Sequence, residues 1–224
     1  MIVNPSLRIK QIANMVRFRR VVDIGCDHAL LPIFLLQSGR IDFAIATDIA
    51  KEPLEKGRKN AILADVDDDM RFVLSDGLAQ IALGNVETCI IAGVGGETVM
   101  KILENDLDVA KSFGQLILSP QRDVPAVRRF LHSNGFKIVC EELILDDSKF
   151  YHILDCEVGL QKPFCNGGYA FGRDLIKRKH PVLRSFIHSE MEKFSQIDME
   201  LLPYGRKKEI ADYLRLCDKV LGGI

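Results

Sequence analysis

Paired cysteines are what this 224-residue sequence lacks first: Cys26, Cys89, Cys140, Cys156, Cys165 and Cys217 lie far apart, with no CxxC and no Cys/His cluster at zinc-ligand spacing. That excludes a thiolate metal centre and predicts reduced, mostly buried thiols, with no metal. An excess of one charge is also missing. The formal net charge of -1 argues against a surface that binds polyanions everywhere, while leaving room for a local basic patch. Long apolar runs are absent too. The start, "MIVNPSLRIKQIANMV", is interrupted by polar residues, and no later run approaches roughly 18 apolar residues, so neither a signal peptide nor a membrane span is expected. There is no internal repeat and no low-complexity tract. What is present is 47% hydrophobic content, enough to bury the core of one large α/β domain, or of one domain with a smaller appendage. A cytoplasmic enzyme is the expectation.

Ser6 precedes a helical pattern in which Leu7, Ile12, Met15 and Val16 share a face while Arg8, Lys10 and Arg17 point to water. Short apolar runs then recur at helix-sized intervals: "VVDIG" (21–25), "FAIATDI" (43–49), "FVLSD" (72–76), "TCIIAGVGG" (88–96) and "QLILSP" (115–120). Stretches such as "ALLPIFLLQSG" and "EPLEKGRKNAILAD" separate them with helical periodicity, the pattern of a parallel sheet joined by right-handed crossovers. The runs are apolar on both faces, as strands covered from above and below must be. After the helix "VPAVRRFLHSNG", the rhythm changes. "FKIVCEELIL" and "FYHILDCEV" are separated only by "DDSK", too short for a crossover helix but suited to a hairpin. Five parallel strands followed by an antiparallel pair resemble the S-adenosylmethionine-dependent methyltransferase fold, whereas a nicotinamide-binding sheet stays parallel.

The segment "GLQKPFCNGG" (159–168) reads as a linker, broken by Pro163 and rich in glycine. Beyond it, Leu183, Phe186, Ile187, Met191, Phe194, Ile197 and Leu201 recur at three- and four-residue spacing. "LPYG" interrupts the pattern, and Ile210, Tyr213, Leu214, Cys217 and Leu221 resume it. This predicts an antiparallel helical hairpin. From residue 160 onward twelve basic residues stand against eight acidic ones, so the tail is basic and the rest acidic. The expected domains are 1–160, an α/β nucleotide-binding sheet, and 161–224, a small helical domain.

Within "VVDIGCDHALLP" (21–32), Gly25 allows a sharp turn at the end of the first strand, but the dinucleotide fingerprint would need three glycines here. Cys26, Asp27 and His28 follow instead. A carboxylate where a pyrophosphate should sit would repel it by several kcal/mol in a partly dry site. The same carboxylate suits a cationic ligand, and S-adenosylmethionine carries a sulfonium and an ammonium and no phosphate. Asp27 can also simply cap the next helix, and His28 can simply bond a nearby backbone group. Asp48 ends the second strand about twenty residues past the glycine turn, where an acid can accept both ribose hydroxyls; Ile49 follows it. A solvated loop aspartate is the plainer alternative. Asp76 and Gly77 follow the third strand, placed to accept an adenine amino group and leave space for the ring, or merely to turn the chain. The fourth strand exits through "AGVGG" (92–96), which permits close approach of a ligand or of a packed helix. All of these fall on one edge of the sheet, where open α/β sheets bind ligands.

"VVDIGCDHALLPIFLL", "ATDI", "SDGLA", "IIAGVGGETVMKIL", "LILSPQ", "LHSNGFKIVCEELILDDSKFYHIL" and "FGRDLIKRKHPVL" together resemble the bacterial tRNA methyltransferases that modify N1 of adenine 22. The resemblance runs from about residue 6 into the helical tail. It implies a Rossmann-like class I methyltransferase sheet, mostly parallel with an antiparallel last strand, and a small C-terminal coiled-coil-like domain that helps grip tRNA. It implies cofactor contacts at Asp23, Gly25, Asp48, Ile49, Asp76, Gly77, Ala92 and Gly93, and an active-site neighbourhood at Asp27, His28 and the loop after Leu118. In that loop the family commonly reads Gln-Pro-Asn, whereas this chain reads Ser119-Pro120-Gln121; Gln121 keeps the amide and adds a methylene.

N1 lies on the Watson–Crick edge of adenine, so the base must be unpaired or flipped out before it can react. Its lone pair needs no prior deprotonation, so positioning should supply most of the catalysis. Asp27 is expected to stabilise the cationic product ring, with His28 as relay or orienting partner. Lys177, Arg178, Lys179, Arg206, Lys207 and Lys208 are expected at tRNA phosphates, with a solvated helix face as the alternative. A small-molecule methyltransferase and a non-catalytic RNA-binding module are the competing functions, and the sequence carries no indication of oligomeric state.

Overall fold

The structure, a computed structural model, describes residues 5–82, 84–195 and 197–224. The chain forms two compact units, Met1–Gln161 and Lys162–Ile224. The first is built on seven strands: β1 (Arg20–Ile24), β2 (Phe43–Asp48), β3 (Met70–Leu74), β4 (Thr88–Ala92), β5 (Gln115–Ser119), β6 (Phe136–Asp146) and β7 (Lys149–Val158). Their order is β3-β2-β1-β4-β5-β7-β6. The first five run parallel, and β7 lies between β5 and β6, antiparallel to both. Successive residues in β1, β4 and β5 are buried, which requires cover on both faces.

That cover comes from α1 (Leu7–Met15), α2 (Leu30–Gln37), α3 (Lys51–Ala64), α4 (Gly96–Asn105), α5 (Leu107–Ser112) and α6 (Val124–Ser133). α1 packs on α2 and α2 on α3, while α4 packs on α6. Ser6 does start α1, its side chain accepting from the Ile9 amide at 3.4 Å. The faces of α1 differ from expectation. Leu7 is 48% exposed, and Ile12 and Ala13 are the buried pair. Arg17, expected in water, pairs with Asp155 at 3.2 Å and Glu157 at 2.6 Å. Helical periodicity could not foresee this, because both acids come from β7.

The β6–β7 ladder is longer than the apolar runs suggested. Asp146 pairs with Lys149, leaving Asp147 and Ser148 as a two-residue loop with φ of 47° and 60°. Positive φ at both central positions matches the right-handed strand twist, as in type I′ hairpins.

The second unit contains α7 (Asn166–Phe171), α8 (Arg173–Lys177), α9 (Leu183–Ser195) and α10 (Tyr204–Leu221). The glycines read as linker belong partly to α7. A Cβ at Gly168 would lie 2.9 Å from Phe164 Cβ, so this glycine serves close packing rather than flexibility. α9 and α10 pack on each other with α7 against α10. Tyr213 lies 5.9 Å from the Phe171 ring and 5.7 Å from the Phe194 ring, and its hydroxyl donates to Glu190 Oε2 at 3.2 Å. "LPYG" splits differently than expected: Tyr204 and Gly205 open α10, and the break lies before them. No helix among the described residues is long and apolar enough to cross a membrane.

Candidate cofactor and active site

The sheet reverses its direction of winding between β1 and β4, and the crevice at the carboxyl ends of these strands is where such sheets hold ligands. A cavity of about 570 Å³ lies there, within the ~300–1,000 Å³ range of small-molecule sites. Asp23, Gly25, Asp27, His28, Asp48, Ile49, Asp76, Gly77, Ala92, Gly93 and Gln121 all line it. Pro120 does not. It is buried beside the cavity's Gln121.

The local chain explains the convergence. Gly25, with φ of 72°, turns the chain out of β1, and the Cys26 amide donates to the Thr47 carbonyl at 2.8 Å, tying this turn to β2. Asp27 and Ala29 also have positive φ, 49° and 56°, an uncommon conformation for non-glycine residues that concentrates at functional turns. Ala29, not Asp27, is the N-cap of α2, and no side chain caps that helix. The capping role is therefore excluded. The Asp27 carboxylate instead stands at the cavity rim, 77% exposed, with Oδ1 3.3 Å from His28 Nε2.

Asp48 is held across the two turns: Oδ1 accepts from the Ala50 amide at 3.0 Å and Oδ2 from the Asp27 amide at 3.4 Å. An ionised carboxylate has about four acceptor sites, so capacity for a diol remains. Asp23 is the deep acid, 5% exposed. Burial pushes its carboxyl up to about 7; the nearby Asp48 charge pushes the same way and the Arg8 guanidinium opposes it. Burial likewise raises the Cys26 thiol, with Asp23 and Asp48 adding to the shift, so Cys26 meets the cavity as a neutral group.

Arg8 was placed in water by periodicity, but it lines the cavity. Its amide donates to Asp146 Oδ2 at 3.1 Å, and its guanidinium carbon lies 5.1 Å from the Tyr151 ring centre. A basic residue on an amphipathic helix gives no sign of which partners will draw it inward. Ile9, Ile12, Leu30, Leu31, Val94 and Thr98 also line the cavity and were missed, being ordinary apolar or small residues in sequence. A second compartment of about 370 Å³ shares Ile49, Asp76, Gly77 and Thr98 and continues along α4.

Four carboxylates and one guanidinium among the lining residues favour a ligand that is mainly cationic and carries one anionic group. S-adenosylmethionine, with sulfonium, ammonium, carboxylate and ribose diol, meets that donor set, whereas a dinucleotide's pyrophosphate does not.

The six basic residues expected at RNA belong to the second unit. Lys177, Arg178, Lys179, Arg206 and Lys208 are exposed and Lys207 is half-buried. Arg178 pairs with Asp174 at 3.2 Å, Arg206 with Glu209 at 2.8 Å, and Lys207 donates to the Glu200 carbonyl at 3.2 Å.

The inserted antiparallel strand and the acid-lined pocket, with a single glycine in the turn after β1, define a class I methyltransferase domain. The family described as "Methyltransferase domain" matches residues 5–154. The tRNA (adenine(22)-N(1))-methyltransferase of Bacillus subtilis (strain 168) is 26% identical over 229 residues, covering 96% of each chain. A crystal structure from Streptococcus pneumoniae, of a candidate tRNA (m1A22) methyltransferase, superposes with a TM-score of 0.91 at 30% identity over 97% of this chain and 99% of that one. The same protein in complex with S-adenosyl-L-methionine gives 0.88 at 30% identity over 96% and 99%. The chain belongs to the bacterial tRNA (adenine-22, N1)-methyltransferase family.

Proposed function

We propose that this protein transfers a methyl group from S-adenosylmethionine to N1 of adenine 22 of tRNA, in the cytoplasm. The observation that carries the reading is the cavity at the β1/β4 switch point: acid-lined, entered by one arginine and turned by one glycine, in a chain similar over its whole length to tRNA methyltransferases. When bound, S-adenosylmethionine supplies a methyl carbon activated by the adjacent sulfonium, which the adenine N1 lone pair takes as the carbon–sulfur bond breaks and its electron pair stays on sulfur.

The chain's own residues do the rest. Asp23 and Arg8 form an opposite-charge pair for the ammonium and carboxylate of the cofactor's amino-acid end. Gly25, Ala92 and Gly93 let it approach the backbone. Asp48 takes the ribose hydroxyls, Ile49, 68% exposed, offers an apolar face to the adenine ring, and Asp76 with Gly77 receives its edge. The Asp27 carboxylate stabilises the positive charge developing on the target base and can accept a proton from its exocyclic amine, with His28 fixing the carboxylate's orientation. Gln121 at the rim orients the base, and Pro120 shapes its loop. Lys177, Arg178, Lys179, Arg206, Lys207 and Lys208 contact phosphates without reading bases.

The test is incubation of unmodified tRNA transcripts with labelled S-adenosylmethionine, followed by mapping of reverse-transcription stops. The expected outcome is a stop at adenine 22 that requires both enzyme and cofactor. Incorporation at another nucleotide or atom overturns the regiochemistry.

A further inference from the structure

The most exposed aromatic side chain of the second unit is Tyr204, and nothing in the proposed reaction uses it. Its side chain is 83% exposed at the first residue of α10. Leu201, three residues earlier in the short 3-10 turn Met199–Leu201, is 82% exposed, and Ile197 is 37% exposed. The buried residues of α10 are Ile210, Cys217 and Val220, all further along, so this cluster contributes nothing to that seam. A tyrosine and a leucine left this exposed within four residues of chain each forgo the free energy that burial would return, roughly 25 cal/mol for each Å² left exposed. Isolated exposed apolar residues are ordinary, whereas a contiguous apolar tip rimmed by charge marks a contact surface.

The surrounding charge identifies the partner. Arg206, Lys207 and Lys208 follow Tyr204 directly, and Lys207 and Lys208 lie three and four residues along the helix, on its own face. Lys207 donates to the Glu200 carbonyl at 3.2 Å, so its head is held beside the 3-10 turn, while Arg206 leans along α10 to Glu209 at 2.8 Å. A ring with cations spaced one helical turn away is the combination that holds an unpaired nucleotide: the base stacks on the ring and the flanking phosphates meet the cations.

We propose that the tip between α9 and α10, formed by Leu201 and Tyr204 and flanked by Arg206, Lys207 and Lys208, stacks on an unpaired base of the tRNA. This rests on the tRNA reading given above, but it assigns a base-contacting role to an aromatic side chain where that reading used only phosphate contacts. Stacking of this kind tolerates any base, so the tip measures whether a nucleotide is unpaired rather than which nucleotide it is.

The experiment measures tRNA affinity of the full-length protein as a function of salt, for wild type, Tyr204→Ala, Tyr204→Phe and Lys208→Ala, beside a fully paired RNA duplex of equal length. Tyr204→Ala should weaken tRNA binding about tenfold at every salt concentration, leaving the salt slope unchanged, while Tyr204→Phe keeps wild-type affinity because the ring and not the hydroxyl is used. Lys208→Ala should lower the slope by about one ion. Binding of the duplex, and of S-adenosylmethionine, should be the same for Tyr204→Ala and wild type, which also shows that the variant folds. Equal tRNA affinity for Tyr204→Ala and wild type overturns the stacking proposal alone, as does an equal loss on the duplex. If Tyr204→Ala instead converts a self-associated protein to monomer without affecting tRNA binding, the tip is an interface between copies and the proposal is wrong. Failure of the wild-type protein to bind tRNA at all would overturn the tRNA reading itself.

Discussion

Asp23 and Asp155 are sunk to the same depth in one sheet, each 5% exposed, and they illustrate two ways of burying a carboxylate. Asp155 sits in β7 within a network of side-chain hydrogen bonds. Its Oδ1 accepts from Gln115 Nε2 at 3.0 Å and from Arg17 Nη2 at 3.2 Å. Burial pushes its carboxyl up, and those two partners pull it back. Gln115, itself fully buried, uses all its capacity: Nε2 also donates to the Met15 carbonyl at 2.8 Å, and Oε1 accepts from the Arg17 amide at 3.0 Å and the Thr88 hydroxyl at 3.1 Å. Asp23 accepts no hydrogen bond among the described residues and faces a cavity. The first network ties β5, β7 and the end of α1 together, whereas Asp23 borders open cavity space.

The sharpest way to break that contrast is Asp23→Asn. A carboxyl raised from 3.8 to about 7 favours the protonated form in the fold, so its cost to stability is absent below about pH 4, grows between about pH 4 and 7, and levels off above 7. Removing the charge should therefore stabilise the protein above pH 7 by up to about 4 kcal/mol and change little in acid, as urea titrations at several pH values will show. The same variant should lose at least about tenfold in S-adenosylmethionine affinity by calorimetry. Wild-type affinity should rise with pH up to about 7 as Asp23 ionises, and the variant should lose that rise.

The opposite behaviour is expected of the Asp155 network. Gln115→Ala orphans several buried groups and should cost about 3 kcal/mol in unfolding free energy, with cofactor affinity of the folded protein unchanged. At the cavity rim, Asp27→Asn should lower turnover by about 10- to 100-fold while changing cofactor affinity less than about twofold, measured by single-turnover methylation and calorimetry. The smallest effect belongs to Arg17→Met. Its side chain is 40% exposed, so solvent already screens the Asp155 pair, and about 1 kcal/mol or less should be lost.

The strands were readable because each is a short apolar run bounded by turns, and the hairpin because "DDSK" is too short for anything else. The cavity edge was readable for a related reason: in a parallel sheet every strand's carboxyl end falls on the same side, so Gly25, Asp48, Asp76 and Gly93 had to converge once the strands were placed. Arg8 and Arg17 were not readable. The partners of Arg17 lie 138 and 140 positions away, and periodicity on α1 cannot see them. Sequence left capping open for Asp27 because Asp is a good cap; Ala29 at the N-cap with positive φ, and no side-chain cap, exclude that alternative. The glycines at 167 and 168 were misread as linker because a glycine kept for close approach looks the same in sequence as one kept for freedom.

The strand succession, the antiparallel ending and the acid-for-glycine exchange in the first turn follow from local pattern and residue chemistry along a few positions. Which charges lie inside, and which of them are satisfied, depends on the folded chain. Burial and pairing are properties of groups brought together from distant parts of the chain, so two aspartates of equal depth become a structural joint in one place and a cavity wall in the other.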